Sequence, residues 1–106
     1  MILMAKVRYP TTSAKDFSEK AIEELRDNPY PEFTKGTYYF KFGDGGIVMY
    51  VIYEITPGNE DAAIKDINER AFKFSQQVKG WEPATMEILM SIEETLAMLQ
   101  SGALPS

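Results

Sequence analysis

Residues 34–56 constrain the fold most, because both the turn and the strand register of a β-hairpin can be read from them. This stretch holds the densest run of β-branched and aromatic residues in the chain, interrupted once by a glycine-rich turn. Asp44-Gly45 predicts a two-residue type I′ turn, because both central residues of that turn need positive φ. The turn places Tyr39 directly opposite Tyr50.

Alternation along the two strands divides the side chains of the hairpin between two faces of a sheet. One face pairs apolar and aromatic residues: Phe42 with Ile47, Phe40 with Met49 and Tyr38 with Val51. The other face pairs Lys41 with Val48, Tyr39 with Tyr50, Thr37 with Ile52 and Lys35 with Glu54. Turn chemistry and side-chain patterning therefore indicate the same register.

Two further strands are indicated by alternation. Residues 3–9 form the first, with one face made by Leu3, Ala5, Val7 and Tyr9. Residues 84–90 form the last, with Met86, Ile88 and Met90 inward and Thr85, Glu87 and Leu89 outward.

Three helices are indicated by apolar residues that recur every three or four positions. The stripe of the first is Phe17, Ala21 and Leu25, and that of the second is Ile64, Ile67, Ala71, Phe74 and Val78. A short C-terminal helix carries Ile92, Leu96 and Leu99 and ends at Gly102, with Pro105 beyond it. The predicted N-terminal caps are Ser13 with Asp16, Asn59, and Ser91 with Glu94.

The order strand, helix, strand, strand, helix, strand predicts an α+β fold of the ferredoxin-like βαββαβ type, with the C-terminal helix added. Right-handed crossovers give an antiparallel four-stranded sheet in the order 4-1-3-2, with both main helices on one face. We expect residues 1–106 to form a single domain, because 106 residues suffice for one ordinary core.

The face of this sheet that the helices leave open is unusually apolar for a surface in water. Its centre consists of Met4, Tyr39, Val48, Tyr50, Ile52 and Leu89, and charged residues surround it. An apolar centre with a charged rim is typical of protein interfaces, so the pattern predicts a homodimer through this face. The alternatives are that the C-terminal helix folds back over it or that it stays exposed.

With these features the chain resembles the dimeric α+β barrel superfamily, in which two ferredoxin-like sheets pack face to face. The resemblance rests on the element order, on a third strand at 47–55 that is apolar on both faces, and on a last strand that runs into a capped helix. The superfamily includes small monooxygenases, muconolactone-isomerase-like enzymes and stress-responsive proteins. Several of its enzymes use histidine, and no catalytic residue is carried over to this chain.

Composition excludes several kinds of chemistry. The chain has no cysteine and no histidine, which rules out disulfides, thiolate nucleophiles, imidazole bases and the usual zinc sites. A net charge of −5 argues against a nucleic-acid partner. We expect no metal, no cofactor and no membrane segment, and the absence of cysteine and of a targeting segment favours a cytoplasmic location.

Three local features have ordinary explanations. Residues 43–46 could cradle a phosphate, but no helix follows them and the hairpin accounts for their glycines. Residues 59–61 lack the spaced ligands of a calcium loop. Glu54 and Glu87 could become acids of raised pKa in a buried interface, but we expect them to pair with Lys35 and with Lys6 or Arg8.

Aromatic and methionine side chains on the inward face predict a pocket for a small apolar or aromatic molecule between the sheet and the helices. Its candidate residues are Tyr9, Tyr38, Met49, Tyr53, Phe72, Trp81 and Met86. The same residue types also fill irregular cores. Three functions remain open: a small-molecule-binding dimer, a cofactor-light enzyme that uses tyrosine or carboxylate groups, and a non-catalytic partner or scaffold protein.

Overall fold

A computed structural model describes residues 1–102 and shows an α+β fold with a four-stranded antiparallel sheet and three helices. The strands are β1 (Ile2–Pro10), β2 (Thr34–Gly43), β3 (Gly46–Ile55) and β4 (Thr85–Leu89). The helices are α1 (Ala14–Asp27), α2 (Glu60–Gln77) and α3 (Ile92–Ser101). Across the sheet the strand order is β2-β3-β1-β4, which reads β4-β1-β3-β2 from the other edge.

The hairpin of β2 and β3 has the predicted turn and register. Asp44 and Gly45 have φ values of 52° and 71°, so both central residues of the turn lie in the left-handed region. Tyr39 pairs directly with Tyr50. The register predicted from the turn therefore agrees with the pairing of both ten-residue strands.

The core lies between one face of the sheet, here called the inner face, and the two main helices. Alternate residues of the central strands β1 and β3 are buried on this face, from Leu3 to Tyr9 and from Ile47 to Ile55. Phe17 of α1 and Ile67 of α2 pack against them. Both main helices therefore cover the same face of the sheet.

The helices leave the inner face exposed at the two edges of the sheet. Phe42 is 72% exposed, and Phe40, Ile88 and Met90 are also exposed, although we expected all four to point inward and be covered. Phe40, Phe42 and Ile88 lie on the predicted inner face, because they pair with Met49, Ile47 and Leu3, respectively, whereas Met90 lies one residue beyond β4. They remain in water because they lie on or just beyond the edge strands, where a neighbouring strand is present on one side only.

Side-chain capping of the helices agrees with the sequence at one of three sites. Ser91 Oγ accepts a hydrogen bond from the backbone N–H of Glu94 at 3.1 Å, and the two residues form the predicted capping box. Ser13 and Asn59 occupy the predicted N-cap positions of α1 and α2, but neither side chain makes a capping hydrogen bond, so only the positions of these two caps are confirmed. A short 3₁₀ turn precedes α1, and Ser13 Oγ instead donates to the carbonyl of Lys79 at 2.6 Å.

Helix α3 lies apart from the core. None of its residues is buried, and its apolar stripe of Ile92, Leu96 and Leu99 is exposed. The radius of gyration is 15.7 Å, against about 13 Å for a compact chain of similar length. The stripe of α3 is therefore not folded onto the open face of the sheet, and the predicted stop at Pro105 lies outside the described residues.

The face of the sheet that points away from α1 and α2, here called the outer face, carries the predicted apolar patch. Tyr39 is exposed and its neighbours are half-buried; the patch consists of Met4, Tyr39, Val48, Tyr50, Ile52 and Leu89. Sheet neighbours account for the partial burial, because each half-buried position lies directly across from a residue of an adjacent strand.

Two carboxylates at the rim of this patch differ in their contacts. Glu54 pairs with Lys35 at 3.8 Å, as expected. Glu87 forms no ion pair within residues 1–102, so the expected pairing with Lys6 or Arg8 is wrong. Lys6 lies instead over the ring of a tyrosine, and Arg8 reaches a carbonyl of the hairpin turn.

A candidate ligand cavity with a tyrosine cluster

A cavity of about 280 Å³ lies between the inner face of the sheet and the two main helices. Its wall is largely apolar and includes Ala5, Val7, Met49, Val51, Phe17, Ala21, Ile67, Ala71, Phe74, Trp81 and Met86. Leu25 of α1 and Phe40 of β2 also line the cavity, and both are exposed to solvent. Its volume is close to the lower end of the range of about 300 to 1,000 Å³ that is usual for ligand sites.

Five of the seven predicted pocket residues line this cavity: Tyr38, Met49, Tyr53, Trp81 and Met86. The other two are not brought to it. Tyr9 is buried behind the wall, where its ring stacks on that of Trp81 with centroids 5.8 Å apart. Phe72 is 64% exposed on the outer side of α2, because the inward stripe of that helix runs through Ile67, Ala71 and Phe74.

Aromatic rings form one continuous part of the wall. The ring centroids of Trp81 and Phe17 are 5.8 Å apart, those of Trp81 and Phe74 are 5.7 Å apart, and those of Phe17 and Phe74 are 5.6 Å apart. Trp81 is the single tryptophan of the chain. A wall of stacked rings suits a flat apolar molecule, and the fluorescence of Trp81 can report its binding.

Three tyrosines, here called the tyrosine cluster, form the polar end of the cavity: Tyr30 before β2, Tyr38 in β2 and Tyr53 in β3. The hydroxyls of Tyr30 and Tyr38 are hydrogen-bonded to each other. Burial raises the pKa of Tyr53 to about 12, and it raises the pKa of Tyr30 and of Tyr38 well above the ordinary value of 10.0. The cluster therefore presents neutral phenols, which can both donate and accept hydrogen bonds.

Arg70 of α2 holds Tyr30 in place. Its guanidinium carbon lies 4.4 Å from the centroid of the Tyr30 ring, a cation–π contact. The guanidinium donates to the carbonyls of Asn28 and Pro29 at 2.6 and 3.1 Å and to Asp66 at 2.9 Å. One buried side chain thus joins the segment that carries Tyr30 to helix α2.

Glu24 of α1 completes this polar region. Both Glu24 and Arg70 have side chains only 7% exposed, and the nearest atoms of the pair are 3.7 Å apart. Glu24 also accepts hydrogen bonds from Lys73 at 2.6 Å and from Asn28 at 3.1 Å. The hydrogen bond from Lys73 is the main reason that the pKa of Glu24 lies below its ordinary value of 4.5.

Sequence reasoning did not identify Glu24, Tyr30 or Arg70 as part of the cavity. The sequence does contain a pattern that could have identified two of them. Glu24 follows Ala21 by three positions and Arg70 follows Ile67 by three, so both fall on the inward side of a helix. A charged residue at such a position needs a buried partner. Tyr30 lies between two prolines, and this pattern predicts only a turn.

The lowered pKa of Glu24 predicts a loss of stability in acid. A carboxylate whose pKa is lower in the folded state stabilises the fold above its unfolded pKa, and this contribution disappears as the pH falls through the folded value. The difference in unfolding free energy between the native chain and Glu24→Gln should therefore be large at neutral pH and shrink towards pH about 3. Urea unfolding at both pH values measures it, with Glu19→Gln, an exposed carboxylate of the same helix, as the control. A difference that does not change with pH would contradict the prediction.

Within residues 1–102, no group of three acidic side chains is placed to hold a metal ion. The same residues contain no helix that is both long and apolar enough to cross a membrane. No protein-family model matches the chain, and neither a curated protein nor a solved structure shows significant similarity to it.

Proposed function

We propose that this protein binds a small apolar or aromatic molecule in the cavity between its sheet and its helices. The observation that carries the proposal is the cavity itself, about 280 Å³ of space with an aromatic and aliphatic wall that is polar only at the tyrosine cluster and its charged neighbours. An empty apolar cavity lowers the stability of a fold, because the atoms around it lose packing contacts. A molecule that fills the cavity therefore stabilises the folded state by mass action.

Filling the cavity with a side chain should abolish binding. Ala71 of α2 lines the cavity, whereas Ala62 of the same helix is exposed. In a titration with tert-butylbenzene followed by Trp81 fluorescence, Ala71→Phe should weaken binding by about tenfold or more, since about 1.4 kcal/mol of lost contact suffices for that change. Ala62→Phe should bind like the native chain. Native protein without a saturable signal, or unchanged binding by a folded Ala71→Phe variant, would contradict the proposal.

Binding is better supported than catalysis. A cofactor-light enzyme would need a group whose pKa is near the working pH, so that it can transfer protons. Burial moves the pKa of Tyr30, Tyr38 and Tyr53 further from neutrality. The phenols of the tyrosine cluster are therefore suited to orienting a bound molecule by hydrogen bonds.

We further propose that the chain is ferredoxin-like and forms a two-fold homodimer of the dimeric α+β barrel type through the outer face. The strand order and the placement of both main helices on the inner face support this arrangement. Each large aliphatic residue of the patch left in water forfeits about 1.5 to 3 kcal/mol, and a two-fold contact buries the same patch twice. We expect about 1,200 to 2,000 Å² of total buried area. The rim charges available for pairing between subunits are Lys6, Arg8, Lys41, Glu54 and Glu87.

A further inference from the structure

We infer that the ligand of the cavity is an uncharged aromatic molecule with one oxygen at its polar end, such as a phenol, which hydrogen-bonds to the tyrosine cluster. This inference rests on the proposed function and adds the chemical class of the ligand. It is carried by two observations on the polar end: the hydrogen-bonding capacity of the three phenols and the charge balance beside them.

The tyrosine cluster has hydrogen-bond donors and acceptors that its own members do not use. Three phenolic hydroxyls carry three donors and about six acceptor lone pairs. Within residues 1–102, the hydroxyls of Tyr30 and Tyr38 are hydrogen-bonded to each other. That bond uses one of the three donors, and an interaction between Tyr30 and Tyr53 can use no more than one other, so at least one donor and several lone pairs remain. All three residues line the cavity, and a ligand oxygen there can accept the remaining bond.

The charges next to the tyrosine cluster already balance. Two carboxylates, Glu24 and Asp66, face two cations, Arg70 and Lys73, with contacts from 2.6 to 3.7 Å. One face of the Arg70 guanidinium is covered by the ring of Tyr30. An anionic ligand would add a buried charge without a partner, and a cationic ligand would find both carboxylates paired. The polar end therefore favours a neutral group.

The rest of the cavity favours a ligand that is apolar apart from its one oxygen. Away from the tyrosine cluster the wall consists of aliphatic side chains and the stacked rings of Phe17, Phe74 and Trp81. A second polar group on the ligand would lose its water there and gain no hydrogen bond in return. A ligand with one oxygen at one end of an aromatic ring fits both parts of the cavity, because its oxygen can bond to the tyrosine cluster and its ring can pack on the apolar wall.

Three probes that differ in one group test the inference on the native chain: tert-butylbenzene, para-tert-butylphenol and para-tert-butylbenzoate. Their dissociation constants are measured by the fluorescence of Trp81, excited at the red edge of its absorption. The phenol should bind about tenfold more tightly than the hydrocarbon, the gain expected from one neutral hydrogen bond. The benzoate should bind most weakly of the three.

A variant pair locates the hydrogen bond. Tyr38→Phe should remove the preference for the phenol and leave the affinity for tert-butylbenzene unchanged. Tyr39→Phe, the neighbouring position on the outer face, should keep the preference. Equal binding of phenol and hydrocarbon by the native chain, or tightest binding of the benzoate, would overturn the inference and leave the binding function intact. Failure of all three probes to bind would overturn the proposed function as well.

Discussion

Ile52→Asp should convert the proposed dimer to a monomer. Ile52 lies on the central strand β3, opposite Thr37 on one side and Met4 on the other, in the middle of the outer-face patch. In a two-fold dimer through this face, aspartate at this position would bury an unpaired carboxylate near its copy across the axis. We expect the dissociation constant to rise by about a hundredfold to a thousandfold, which corresponds to about 3 to 4 kcal/mol. Sedimentation equilibrium at micromolar concentration measures the change.

The control for this variant is the same substitution at an exposed isoleucine. Ile22 is 65% exposed on α1, on the opposite side of the molecule from the outer face. Ile22→Asp should sediment as a dimer and keep the circular dichroism spectrum of the native chain. If the native chain sediments as a monomer, or if folded Ile52→Asp remains a dimer, the outer face is not the interface.

Arg70→Met should lower the free energy of unfolding by about 3 to 5 kcal/mol, the usual result of removing one partner from a buried ion pair. The substitution leaves the carbonyls of Asn28 and Pro29 without their donor and takes one cation from beside Glu24. It also removes the group that packs on the ring of Tyr30. Chemical denaturation monitored by circular dichroism measures the loss.

Lys20→Met is the matched control for Arg70→Met. Both cations pair with an aspartate four residues earlier on their helix, Lys20 with Asp16 at 2.7 Å and Arg70 with Asp66 at 2.9 Å. The Lys20 pair is much more exposed, so its removal should cost no more than about 0.5 kcal/mol. An Arg70→Met variant with nearly native stability would mean that the buried polar region does not hold the Tyr30 segment in place.

The hairpin was predictable because its determinants are local. A turn of two residues with positive φ fixes the pairing of Tyr39 with Tyr50, and alternation then assigns every side chain to a face. Strand alternation also predicted the correct face for Phe42 and Ile88. It did not predict that they are exposed, because exposure depends on how far the helices extend over the sheet. Sequence spacing contains no information on that distance.

The cavity was predictable in part for the same reason. Tyr38, Met49 and Tyr53 lie on the inner face by strand alternation alone. Arg70 and Tyr30 meet only because the segment before β2 packs against the middle of α2, and that contact joins residues 40 positions apart. Contacts of this kind follow from the tertiary arrangement and not from any local pattern.

The position of β2 at the edge of the sheet has a consequence for aggregation. The side of its backbone that does not face β3 offers a row of hydrogen-bonding groups to any other extended chain, which is how sheets grow into fibres. Lys35 and Lys41 are both exposed on this strand, and their charges repel a second copy that approaches edge to edge. The opposite edge, β4, is only five residues long and offers little backbone to pair with. In the proposed dimer, the apolar outer face binds one second copy of the chain. The charged edge of β2 and the short edge of β4 disfavour the addition of further copies by strand pairing.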